Sequence, residues 1–168
     1  TIEPNLSGMA ALIGLDCFSV QKIIDNENIE VQIANDNSPI QVVISGMLNN
    51  IDKSRDIFLK NGVRKFVKLN VSAAFHSNLM LEAQNIMKKY IEETIFFDSD
   101  ISIISNFSSK ISNSSKTIKE SLINQMANKV RWKESINELE INNEKNLIEI
   151  GPGKVLSGLV NRITSSFD

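Results

Sequence analysis

Between residues 8 and 70 the hydrophobic pattern switches between strand and helix periods in one definite order, which leaves few folds open to the chain. GMAALIGL (8–15) is an apolar run closed by glycines at both ends and reads as a buried strand, and SVQKIIDN (19–26) carries apolar residues at helical spacing. IEVQIAND (29–36) sets Ile29, Val31 and Ile33 against Glu30 and Gln32. After an Asn-Ser-Pro turn, IQVVISG (40–46) repeats the β-branched pattern, so the two segments are expected to pair as a hairpin. NNIDKSRDIFLKNG (49–62) offers an Asn cap, Ile51 and Phe58 on one face and Gly62 as a stop, before VRKFVKLN (63–70) returns to alternation. The resulting βαββαβ order is that of a split βαβ, ferredoxin-like unit.

Beyond residue 70 the pattern is coarser. Ser77 or Asn78 is placed to cap a helix with Leu79, Ala83, Ile86 and Tyr90 on one side. ISIISN (101–106) reads as a strand, NFSSKISNSSKT as a poorly ordered loop, and helices are expected over 118–128 and from Trp132. NLIEI (146–150) reads as a buried strand that a Gly-Pro-Gly turn delivers into the amphipathic helix KVLSGLVNRI, with Val155, Leu159 and Arg162 spaced by turns. Alternating helices and strands predict the last pieces of a parallel α/β sheet.

A chain of 168 residues that is 42% hydrophobic can bury a full core, and a net charge of -2 with no Lys/Arg block excludes a nucleic-acid arm. No apolar run is long enough for a membrane span, and the single Cys17 cannot form an internal disulfide, so neither nucleic acid nor membrane is expected as a partner and a cytoplasmic setting is. The opening residues TIEPNLSG have neither the look of a signal peptide nor an initiator Met.

His76 is the only histidine, just past a predicted strand end, where α/β sheets collect ligands. One His and one Cys make a zinc site improbable, which leaves a hydrogen-bonded loop histidine or a catalytic base. A base needs a nucleophile, yet Gly-x-Ser-x-Gly is absent from the chain. Cys17 lies near a helix start, which would lower its pKa, although a small cysteine at a strand-helix junction is more often inert packing. GPGK (151–154) lacks the full spacing of a phosphate loop and is accounted for as a helix-entry turn.

Five stretches together, GMAALIGL, ANDNSPIQVVISG, VSAAFHSNLM, INQMANKVRW and IEIGPGKVLSGLVNRI, resemble in order and spacing the successive blocks of malonyl-CoA:acyl-carrier-protein transacylases. The resemblance implies a ferredoxin-like small subdomain (8–70) followed by the carboxyl-terminal part of an α/β-hydrolase-like large subdomain (71–168). It implies that His76 is the general base, that the main-chain carbonyl of Gln125 holds its other ring nitrogen, and that Phe75 borders the substrate and favours malonyl over methylmalonyl. Malonyl-CoA and acyl carrier protein are then the partners, and the transfer runs by ping-pong through a seryl ester without metal or tightly bound cofactor. Arg131, Lys133 and Lys154 are weak candidates for steering an acidic carrier protein.

The family's serine elbow, its oxyanion glutamine and the arginine that clamps the malonyl carboxylate would all lie upstream of GMAALIGL, outside these residues. The missing amino-terminal part is therefore expected as a further partner, and the chain alone is expected to be inactive. The rival reading is a non-catalytic ferredoxin-like interaction or regulatory module derived from an acyltransferase.

Overall fold

The computed structural model describes residues 6–167; Thr1–Asn5 and with them most of the atypical start lie outside the described residues. β1 (Ser7–Ile13) is the central strand: it pairs antiparallel with β3 (Gln41–Met47) on one side and with β4 (Lys65–Lys68) on the other. β2 (Val31–Ser38) completes the sheet against β3, giving the order β2-β3-β1-β4. α1 (Cys17–Asn26) connects β1 to β2 and α2 (Leu48–Lys60) connects β3 to β4, the split βαβ arrangement of a ferredoxin-like sheet.

Both faces of β1 are buried, which is why its sequence is apolar without alternation. Ala10 and Leu12 face a core shared with Val20, Ile44, Ile51 and Phe58, while Met9 and Ala11 turn to a second cluster with Ala34 and Val43. Gly14 closes the strand at φ +118°, and a Cβ there would sit 3.0 Å from the Arg64 nitrogen, so the close return of the chain requires glycine. α1 is capped by Asp16, whose carboxylate accepts from the Ser19 N–H at 2.7 Å and is held below the usual carboxylate range by that bond.

The expected Asn cap of α2 is corrected: Met47 stands at the cap position and makes no side-chain bond, while Asn50 Nδ2 donates instead to the Glu30 carbonyl (3.2 Å) and carboxylate (3.1 Å). A 3-10 turn (Asn78–Met80) leads into α3 (Leu81–Glu93), with no side-chain cap from Ser77. Of the residues expected on one side of that helix, Ile86 and Tyr90 are exposed, and Gln84 is the residue that α3 buries. The predicted strand at 101–106 shrinks to β5 (Ile103–Ile104), paired antiparallel with β6 (Ile111–Ser112) inside the segment expected to be loop. α4 (Ser115–Asn124), α5 (Trp132–Ile141) and α6 (Val155–Ile163) follow.

No parallel sheet forms among the described residues; the one parallel pairing is an isolated bridge between Asn35 and Val130. NLIEI is accordingly not a strand: Ile148 is 85% and Ile150 94% exposed, because an apolar run becomes a strand only beside another that takes its hydrogen bonds. The mixed helix and strand content is that of the α/β class expected from the sequence. Phe58 is fully buried between α2 and the sheet, so Phe58→Ala is expected to cost about 3–5 kcal/mol, read as a lower urea midpoint at unchanged slope.

Candidate active site

The chain leaves β4 along the edge of β1, with the Leu69 N–H donating to the Met9 carbonyl at 2.9 Å, and then turns tightly. The turn is closed from inside: the buried Ala74 N–H donates to Ser7 Oγ at 3.1 Å, and the buried Ser77 hydroxyl donates back to the Ala74 carbonyl at 2.7 Å. His76 sits within it at φ +59°, a left-handed conformation that a non-glycine residue holds only when its surroundings impose it. Its backbone N–H donates to the Met126 carbonyl at 3.1 Å.

The imidazole meets the segment that follows α4. His76 Nδ1 lies 3.0 Å from the Gln125 carbonyl oxygen and 3.1 Å from that of Asn128. Carbonyls only accept, so Nδ1 carries a proton shared between them, and in the neutral ring Nε2 is the acceptor. The 125–131 segment is itself pinned: the Ala127 N–H donates to buried Gln84 Oε1 at 2.9 Å, Val130 N–H to the Ala34 carbonyl at 2.8 Å, and the Asp36 N–H to the Val130 carbonyl at 2.9 Å. The arrangement is a half-buried imidazole held at Nδ1 by two carbonyls, beside a cavity of about 390 Å³ that it lines with Met87, Ile91, Leu122 and Met126 among others.

Of the residues singled out from the sequence, the structure brings His76 and Gln125 together and places Phe75 beside them in sequence but 37% exposed, outside the residues lining that cavity. Cys17 lines a different cavity, with Asp36 and Lys129. The expected lowering of its pKa by the helix start is corrected: burial pushes the thiol up and Asp36 adds to it, with Lys129, whose Nζ lies 3.7 Å from Sγ, only opposing. Arg131 is taken up by both carboxylate oxygens of Glu134 and the Ser108 carbonyl, and Lys133 by Asp36 at 3.2 Å; Lys154 is exposed.

GPGK is a turn, as expected, but the sequence reading missed what serves the helix start beyond it. Glu149 accepts from the Leu156 N–H (3.0 Å) and from the Ser157 N–H (2.9 Å) and hydroxyl (2.6 Å), and these bonds hold its carboxyl below the usual range. A carboxylate of the chain thus occupies the place where a phosphate would sit. The signal available was an acidic residue two positions ahead of the Gly-Pro-Gly turn. Among the described residues there is no group of three or more His, Cys, Asp or Glu side chains able to hold a metal ion, and no helix is long and apolar enough to cross a membrane.

No protein-family model matches the chain. A malonyl CoA-acyl carrier protein transacylase of Bacillus subtilis (strain 168) is 39% identical over 158 residues, covering 92% of this chain and 50% of the relative. A crystal structure of an acyl carrier protein S-malonyltransferase from Vibrio cholerae superposes with a TM-score of 0.93 at 31% identity, over 99% of this chain and 55% of that one. A malonyl-transacylase in complex with its type II PKS acyl-carrier protein superposes with a TM-score of 0.92 at 30% identity, again over 99% of this chain and 54% of that one. The chain therefore spans about half the length of the relatives it matches. With a sequence and a fold shared along nearly all of its own residues, it belongs to the malonyl-CoA:acyl-carrier-protein transacylase family, as the carboxyl-terminal part.

Proposed function

We propose that this chain supplies the base for transfer of a malonyl group from malonyl-CoA to the phosphopantetheine thiol of acyl carrier protein, with His76 as that base and the serine nucleophile on an amino-terminal part outside these 168 residues. The observation that carries the reading is the pair of carbonyls on Nδ1, from Gln125 at 3.0 Å and Asn128 at 3.1 Å, which leaves Nε2 as the acceptor. In the first half-reaction Nε2 takes the serine proton as Oγ attacks the thioester carbonyl, and returns it to the departing CoA sulfur. In the second, Nε2 takes the proton of the carrier thiol as its sulfur attacks the malonyl ester, and gives it to the serine oxygen.

Two neutral carbonyls orient the ring but neutralise its positive charge less than a carboxylate would. A thioester tolerates this because a thiolate leaves more readily than an amine. Acyl carrier protein as the acceptor is supported by the related transacylase found in complex with one, and Lys154 is a candidate contact for its acidic surface. We assign residues 8–70 to the small subdomain and 71–168 to the carboxyl-terminal part of the large one, so that His76 opens the second unit and faces the missing nucleophile.

In protein assembled with the amino-terminal part, His76→Ala is expected to fold and to lose malonyl transfer on the order of 10³-fold or more, measured with radiolabelled malonyl-CoA. Gln125→Ala keeps the carbonyl and is expected to be mild; undiminished turnover by the histidine variant would remove the base. Cys17→Ala is expected to retain transfer. Because its thiol pKa is raised, less thiolate is present at any given pH, so iodoacetamide should label Cys17 more slowly than free cysteine at pH 8 and catch up only at higher pH.

Phe75 is proposed to crowd an α-methyl group. Phe75→Ser is expected to raise methylmalonyl transfer relative to malonyl within the roughly 1–3 kcal/mol that one methyl commands in a packed pocket. An unchanged ratio would show that the ring does not reach the substrate.

A further inference from the structure

β2 touches the surroundings of His76 on two sides. By alternation Gln32 reads as a solvent-facing residue of the strand, yet its Oε1 accepts from the Asn78 N–H at 2.7 Å, two residues beyond His76. Further along, Ala34 and Asp36 clasp Val130 by backbone hydrogen bonds of 2.8 and 2.9 Å, two residues beyond Asn128. Asp36 then adds an ion pair from Oδ2 to Lys133 Nζ at 3.2 Å, on the first turn of α5.

Asp36 is only 4% exposed and its second oxygen, Oδ1, has no partner. A buried carboxylate satisfied on one side is a poor source of stability, and its ion pair with Lys133 acts chiefly to hold β2 and α5 in a single register. β2 is in turn fixed by its ladder to β3, from Val31–Gly46 to Ser38–Gln41. One strand, paired to β3 with register shifts on either side of Asn35–Asp36, therefore holds residue 78 through Gln32 and residues 130 and 133 through Ala34 and Asp36. The left-handed His76 lies two residues ahead of the first anchor, and the two carbonyls on its Nδ1 lie five and two residues ahead of Val130.

We propose that Gln32 and Asp36 are positioning residues for His76: through them β2 holds the loop and the carbonyl pair in register, and so keeps the ring in the Nδ1–H tautomer with Nε2 free to accept. What the accepting nitrogen does rests on the function proposed above; the tautomer does not, and it is measurable in this chain without a nucleophile. Both act on the imidazole through the backbone segments they hold.

The test is long-range ¹H–¹⁵N NMR of the His76 ring, recorded well above its titration, together with amide exchange at Asn78 and Val130. In the unmodified chain the ring is expected as Nδ1–H. Gln32→Met keeps the length and loses the acceptor: exchange at Asn78 is expected to rise roughly two- to tenfold, the value of one hydrogen bond, and the ring to populate both tautomers. Gln32→Glu retains an acceptor oxygen and is expected to restore both readouts, which general destabilisation would not do. Asp36→Asn is expected to speed exchange at Val130 and to mix the tautomers in the same way.

Wild-type exchange and a pure Nδ1–H ring in both Gln32→Met and Asp36→Asn would overturn the proposal, as would a Gln32→Met loss that Gln32→Glu does not restore. Full transfer by His76→Ala would instead remove the base reading and leave the tautomer result standing, so the two failures are distinguishable.

Discussion

The backbone bridge between Asn35 and Val130 is the contact on which the site depends. Among the described residues it is the place where the four-stranded sheet meets the segment after α4 by main-chain hydrogen bonds, through the Val130 N–H to Ala34 and the Asp36 N–H to Val130. Backbone bonds of this kind do not follow rotamer changes, so the carbonyls of Gln125 and Asn128, a few residues upstream, inherit the position of the sheet. A left-handed histidine is stable only under such constraint, because its cost of order 1–3 kcal/mol must be met by the surrounding structure.

The sheet can serve as that reference because β1 is paired on both edges and buried on both faces. Its two clusters divide the work. The one with Phe58, Leu12 and Ile44 holds α1 and α2 against the sheet, and the one with Met9, Ala11, Ala34 and Val43 faces the other way. Ser7, at the start of β1, takes the N–H of Ala74, so the turn carrying His76 hangs directly from the central strand.

Electrostatics around the site are mostly internal. Arg131 is matched by Glu134, Lys133 by Asp36 and the start of α6 by Glu149, so charges that look free in the sequence are already paired. Apolar surface is exposed beside these pairs: Ile148 lines a cavity of about 430 Å³ with residues of α5 and α6, and Ile150 and Val155 also stand exposed. Exposed apolar surface of this kind is unusual in a folded monomer, and the related proteins are about twice as long as this chain.

The sequence by itself determined the elements whose partners lie close along the chain. The βαββαβ order, the hairpin across Pro39 and the Gly14 and Gly62 breaks are written in local period and turn chemistry, because alternation and helical spacing report which face of a segment is buried. His76 and the Gln125 carbonyl were legible through block resemblance, since a motif preserves the order of residues that meet in space. Tertiary structure alone decided the rest. Asn128 O reaches the same ring nitrogen across 52 positions, the exposed Gln32 holds Asn78, and Glu149 caps α6 instead of pointing out of a strand. NLIEI shows the limit most clearly: its composition favours a strand, but a strand exists only when a neighbour supplies the other half of each hydrogen bond, and no local pattern states whether that neighbour is there.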